Sequence, residues 1–292
     1  MGCGVKFAAA LLLLGSSLSA RTFYLTVAGL GGEPDYEQRF SSQAQEVQKL
    51  LTGPDIEVQT LQGAAATKQA IRSAIESIGK QAKAEDAFVL MMIGHGTFDG
   101  TEYKFNIPGP DISSTELATL LDRLPSTKQL IVNGTICSGG SVHALQRPNR
   151  TVVTATKTGT EKNATVFPRY WLEALRDPAS DTDKNEVVSA LEAFKFAELK
   201  TKQFYETNKR IATEHPMLDG TEAQRFSLLR LGSVQLAAND PAKRALLDKR
   251  EQLEVQIDQL KVQKAAMPTE EYRQQLQKLL LELARTQAEL DK

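Results

Sequence analysis

Two loops carry the residue types that make and break acyl bonds. One reads Gly94-His95-Gly96 and follows the apolar run 87–93; the other reads Cys137-Ser138-Gly139-Gly140 and follows the apolar run 129–136. A thiol supplies a nucleophile, an imidazole takes up and returns a proton, and flanking glycines leave peptide N–H groups open to an oxyanion. Cys137 comes 42 positions after His95. A single cysteine is more often a small hydrophobe, and a single histidine between glycines more often a turn residue. What points to a thiol-dependent hydrolase is their joint placement after two apolar runs. His143 and His215 lack that setting, since His143 falls on a helical stretch and His215 precedes Pro216 in a loop.

The surrounding chain must hold both loops at one edge. Residues 22–29 read TFYLTVAG, a buried strand running into glycine. A helix follows over 40–51, where Ala44, Val47, Leu50 and Leu51 share a face and Gly53-Pro54 ends it. The pattern repeats with a strand at 56–61, a helix at 67–78 and a strand at 87–93. Ser113 and Glu116 then make a capping box that opens a helix to about 124. Strands at 129–136 and 151–156 and a helix at 167–175 complete the series. Alternation of this kind gives an α/β fold with a mainly parallel sheet covered on both faces. In such sheets the ligand crevice lies beyond the carboxyl ends of the strands, which is where His95 and Cys137 stand.

Composition narrows the function. Thirty-five basic against 36 acidic side chains, a net charge of −1, leave no basic excess for nucleic acid or an anionic membrane surface. Residues 1–20 carry one Lys, an apolar run from Phe7 to Leu14 and small residues up to Ala20, the layout of a secretory signal peptide. The run is far short of a membrane span, so the expectation is an exported protein, periplasmic or secreted, with no span after cleavage. Of the two cysteines, Cys3 would leave with the peptide and Cys137 would remain unpaired, which in an oxidising compartment means burial or reactivity.

The expected organisation is therefore a signal peptide at 1–20, an α/β unit at 21–238 and two helices at 239–292. In the last segment Leu246, Leu253, Ile257 and Leu260 form one stripe, interrupted by Arg250, and Tyr272, Leu276, Leu279, Leu283 and Leu290 form another. Pro268 breaks between them and Thr269 caps the second helix, so an antiparallel hairpin results. A narrow stripe serves packing on its own domain, a homo-oligomer or a protein partner equally well.

An acidic loop adds a candidate metal site. Asp181, Asp183, Asn185, Ser189 and Glu192 occupy positions 1, 3, 5, 9 and 12 of an EF-hand spacing, and Val187 would offer its carbonyl at position 7. Calcium is the ligand this pattern fits. Position 6, where the pattern wants glycine, is Glu186; the alternative reading is an Asp-rich turn capping the next helix.

With these residues in place, the chain resembles the caspase-like cysteine peptidases and, within them, the legumain family. The resemblance spans about 22–197 and rests on the strand ending Val27-Ala28-Gly29, on His95-Gly96 and on Cys137-Ser138-Gly139; caspases set their His about 50 residues before the Cys. It implies a three-layer α/β/α sandwich and hydrolysis of peptide or protein substrates with no cofactor in the chemistry. Cys137 would be the nucleophile, His95 the proton donor, and the N–H groups of Gly96 and Cys137 the oxyanion site. The segment Tyr36-Glu37-Gln38-Arg39-Phe40 resembles the stretch whose Arg lines the substrate pocket, which implies contact through Arg39. Thr135 takes the place of the family's acidic residue two before the Cys, which implies substrate contact through Thr135, and Glu37 stands near the family's His-supporting Asn. A scaffold of the same fold, with Cys137 merely buried and the hairpin recruiting a partner, is the alternative.

Overall fold

The computed structural model describes residues 20–292, so the expected signal peptide, apart from Ala20, lies outside the described residues. The chain runs β1 (Thr22–Ala28), α1 (Pro34–Leu50), β2 (Ile56–Leu61), α2 (Lys68–Gln81), β3 (Ala87–Ile93), then three short strands, β4 (Gly96–Phe98), β5 (Tyr103–Phe105) and β6 (Ile112–Ser113). It continues α3 (Ser114–Leu121), β7 (Lys128–Asn133), α4 (Val142–Leu145), β8 (Arg150–Thr154), α5 (Phe167–Arg176), β9 (Val187–Ser189), α6 (Ala190–Thr207), β10 (Met217–Asp219), β11 (Ser227–Arg230), α7 (Gly232–Ala238), α8 (Pro241–Gln263) and α9 (Thr269–Leu290).

The main sheet has the order β10-β8-β7-β3-β1-β2, parallel except for β10. Its central strands are apolar on both sides because helices cover both faces. Phe23, Leu25 and Val27 of β1 and Phe88, Leu90 and Met92 of β3 pack with α2 and α3. Tyr24, Val89, Met91 and Ile93 pack with Phe40 and Val47 of α1, Trp171 of α5 and Phe194 of α6. The result is a three-layer α/β/α sandwich.

Two boundaries differ from the expectation for physical reasons. α1 starts at Pro34, not at residue 40: proline at the first turn with Asp35 and Glu37 is a helix-start signal that apolar periodicity does not register. β7 stops at Asn133, not at 136. There the Asn133 side chain accepts from the Thr135 N–H and hydroxyl, a local turn that draws the chain off the sheet. The sheet of β4, β5 and β6 escaped a periodicity reading because its strands have only two or three residues.

α8 and α9 form the hairpin, with Pro268 rather than Thr269 at the cap position of α9. Its base is attached: Leu247 and Leu290 join Val187, Val234 and Ala238 in a small apolar cluster, Arg230 pairs with Glu251 at 3.0 Å, and Arg244 reaches Asp55 at 3.3 Å. Arg250 does not break the stripe outward. It is 6% exposed and donates to the Asn185 carbonyl at 3.2 Å, tying α8 to the acidic loop. No helix among the described residues is long and apolar enough to cross a membrane.

Candidate active site

β3 and β7 are paired neighbours, in register from Ala87 with Lys128 to Met92 with Asn133, so the loops bearing His95 and Cys137 leave the sheet side by side. The contact between them is close. A Cβ on Gly96 would lie 2.8 Å from the Ile136 carbonyl and 2.8 Å from Thr135 Oγ1, so glycine is what allows the two loops to touch.

His95 sits on the α1 side. Its ring lies edge-on to Tyr36, with centroids 4.9 Å apart, and to Phe40, at 5.1 Å. Burial pushes its pKa down; a hydrogen bond with the Gly31 carbonyl opposes this, and the charge of Arg39 adds to it. The imidazole is neutral at pH 7. Gly31 is in turn fixed by its N–H bond to Glu37 Oε2 at 2.8 Å, so Glu37 orients His95 through one backbone carbonyl. Arg39 stacks over Tyr36 at 4.4 Å and shares with His95 a cleft floored by Gly134 and Ile136.

Cys137 faces the other way. It is 2% exposed and packs in the cluster on the α3 side. Its backbone is left-handed, φ 57° and ψ 10°, where a residue with a Cβ is uncommon. Burial raises the thiol pKa, opposed by the charge of Lys162 and by a hydrogen bond with the Phe98 backbone. Among the described residues no hydrogen bond joins the His95 ring to the thiol; the strand ends meet, the side chains do not.

Three expectations need correction. The N–H of Cys137, expected to face an oxyanion, donates to the Glu161 carbonyl at 2.9 Å. Gly96 keeps that capacity in part: the bond from the Asn106 N–H to the His95 carbonyl makes Gly96 and Phe105 a non-hydrogen-bonded pair, which turns the Gly96 N–H away from β5. Thr135, expected to contact substrate, is 0% exposed, and its hydroxyl is bonded to Tyr103 at 2.7 Å and Asn133 at 2.8 Å. The glycines after Cys137, expected to leave peptide N–H groups open, have them bonded, Gly139 to Thr156 Oγ1 at 2.9 Å and Gly140 to the Cys137 carbonyl at 3.0 Å, and both pack against protein. A Cβ on Gly139 would lie 2.3 Å from the Lys157 backbone, and one on Gly140 2.6 Å from the Phe98 ring.

The residues that sequence reading missed are those that hold the Cys137 backbone. Loop 155–166 lies over Cys137, and the Glu161 carboxylate anchors it by accepting from the Lys157 N–H at 3.0 Å, the His215 N–H at 3.1 Å and His215 Nδ1 at 2.8 Å. Glu214 accepts from the N–H groups of Val166 and Phe167 at 2.7 and 3.2 Å and caps α5. The neighbours Glu214-His215 thus hold the middle and the carboxyl end of the loop, a pairing with no local sequence pattern.

In the acidic loop, oxygens of Asp181, Asp183 and Glu192 lie within 4.8 Å of one another. Lys184 and Glu186 both take positive φ, 60° and 62°, so the position wanting glycine is left-handed despite its side chain. Ser189 caps α6 and Glu192 is at its third residue, completing a capping box. Val187 pairs with Arg230 without direct hydrogen bonds, as the Leu231 N–H to Glu186 carbonyl bond requires, so the Val187 carbonyl points away from β11. Against a metal, both Glu192 oxygens accept from Thr182 and Ser189, and Asn185 Oδ1 accepts from the Val187 N–H at 2.8 Å.

No protein-family model matches the chain, and no curated protein matches its sequence. Solved structures do. Caspase-1 from Spodoptera frugiperda superposes with a TM-score of 0.51 at 11% identity, covering 72% of this chain and 89% of that one. The Drosophila initiator caspase Dronc gives 0.46 at 10% identity over 72% and 82% of the two chains, and a protein from Geobacter sulfurreducens gives 0.47 at 14% over 72% and 97%. The fold is caspase-like, with a C-terminal helical region.

Proposed function

We propose that the protein is an exported, legumain-like cysteine endopeptidase whose described conformation is a resting one. The observation that carries this reading is the backbone of Cys137, left-handed at the carboxyl end of β7 and beside the strand that delivers His95. Such backbone costs a non-glycine residue about 1–2 kcal/mol, and strain of this kind clusters at active sites, where a side chain must be presented in a fixed direction.

In the working state loop 155–166 moves off, freeing the Cys137 N–H to act with that of Gly96 and letting the thiol turn from the α3 side toward His95. His95, neutral and oriented by Gly31, takes the thiol proton as the sulfur attacks the scissile carbonyl. The two N–H groups hold the oxyanion, His95 returns the proton to the leaving amine, and water hydrolyses the thioester. Arg39, in the His95 cleft, favours an acidic or amide side chain before the cut, because its cationic fork matches those groups. A peptide library incubated with wild type and Cys137→Ala tests the reading. Cleavage must be present in the first and absent in the second, and equal turnover by both removes Cys137 from the chemistry.

Calcium at the acidic loop belongs to the proposal. Asp181, Asp183 and Glu192 would hold the ion with the Val187 carbonyl, and the ion would supply a bridge between β9 and α6. The convergent oxygens fit it, once Glu192 exchanges its Thr182 bonds for the metal.

The rival is a catalytically silent scaffold with a partner-binding hairpin. Specific observations favour it: Cys137 is buried, its thiol pKa is raised and its N–H is taken. A thiol inert in every variant below would establish that reading instead.

A further inference from the structure

α9 carries two heptad stripes and uses one. Tyr272, Leu279, Leu283 and Leu290 belong to the stripe facing α8, where Leu253, Ile257 and Leu260 are buried. A second stripe, about 100° round the helix, runs Arg273, Gln277, Leu280, Ala284, Gln287 and Asp291, with spacings of four and three. All but Gln287 are exposed, Leu280 at 47%, and Leu281 beside it is 52% exposed. Large adjacent leucines on an outer helix face are a contact surface without a partner in the single chain.

We infer that α9 pairs antiparallel with α9 of a second copy, making a four-helix bundle from two hairpins. The charges on the stripe decide the occupant and the direction. About a two-fold axis at the level of Glu282, Arg273 of one copy meets Asp291 of the other, Gln277 meets Gln287, and Leu280 meets Ala284, each twice by symmetry. Large side chains face small ones, as close helix packing requires, and opposite charges close both ends. A parallel pair would set Arg273 on Arg273 and Asp291 on Asp291. Glu282 stays clear of the contact, since its carboxylate pairs with Lys249 of α8 at 3.0 Å. The present partners of the charged ends are exposed and exchangeable: Arg273 meets Glu270 at 3.8 Å, and Asp291 accepts from Gln287 at 2.8 Å.

Sedimentation of the full mature chain up to about 100 µM, where a weak but specific interface is populated, reads the association directly. The pairing predicts a dimer. Leu280→Arg weakens it at least tenfold with an unchanged circular dichroism spectrum, because it places a charge in both central layers. Arg273→Asp or Asp291→Arg alone weakens it several-fold, and the two together restore it. A monomer throughout, or a dimer insensitive to Leu280→Arg, overturns the proposal. Failure of the double reversal to restore association overturns the antiparallel register. Cleavage of peptides, present or absent, bears on neither result.

Discussion

The Cys137 N–H donates to the Glu161 carbonyl at 2.9 Å, and the Glu161 side chain is held by His215 at 2.8 Å. One residue thus occupies a backbone donor that acyl transfer would need while being tied down by a segment 54 positions away. Loosening the Glu161–His215 contact therefore loosens the hold on the Cys137 N–H.

The first prediction follows from the strength of that tie. A hydrogen bond with a largely exposed partner, as His215 is, contributes about 0.5–1 kcal/mol, so His215→Ala should speed alkylation of Cys137 by up to about fivefold. Glu161→Ala removes the bonds to the Lys157 and His215 N–H groups as well and should speed it about tenfold or more. Iodoacetamide kinetics followed by mass spectrometry measure both. Rates at or below that of wild type would mean that the loop does not limit access.

A second concerns pH. Burial raises the Cys137 pKa, so labelling of the wild type should climb only above the ordinary thiol range of about 8.5, with no shoulder near neutrality. The His95 pKa is lowered by burial, and the unfolded chain therefore binds the extra proton first. The stability this group contributes is present above its unfolded value, about 6.5, and is lost as pH falls through the folded one. Urea melts from pH 7 to pH 5 should show a steeper loss in wild type than in His95→Gln. Parallel curves would contradict the assignment of a depressed His95.

How much of this could be read from the sequence depends on the length scale of each signal. Apolar runs placed β1, β3 and α2 well, because a strand buried on both faces and a helix with one apolar face leave unmistakable periods. The same runs put His95 and Cys137 on neighbouring strand ends. Direction was invisible: whether a side chain after the last paired residue turns to the α1 face or the α3 face depends on turns such as the one Asn133 makes with Thr135. The Glu161 and His215 contact was equally hidden, since it joins two irregular segments far apart in the chain. The burial of Thr135 was hidden for the same reason, since its hydroxyl is bonded to Tyr103 of β5, 32 positions away.

Gly96 gives a third prediction, on stability. In Gly96→Ala the new methyl meets Tyr103 at 2.6 Å and the Ile136 carbonyl at 2.8 Å, so the junction of the two loops must part. Overpacking of this kind costs about 1–3 kcal/mol, and the melting temperature should fall by several degrees. An unshifted melt would show that the loops are not packed as closely as the geometry requires.

The fourth concerns the acidic loop. Calorimetry of the metal-free protein with millimolar calcium should give a saturable heat that Asp181→Asn abolishes, with magnesium a poor substitute because it prefers a smaller octahedral shell. Absence of heat would leave the loop as a capped turn, with Glu192 serving Ser189 and Thr182 alone.

The central claim is that His95 activates Cys137 once the loop is loosened. The direct test is the iodoacetamide rate of Glu161→Ala at pH 7, measured with His95 present and with His95→Ala added. The account predicts fast labelling that drops at least tenfold when the imidazole is removed. Equal rates in the two proteins would make Cys137 an ordinary core thiol and contradict it.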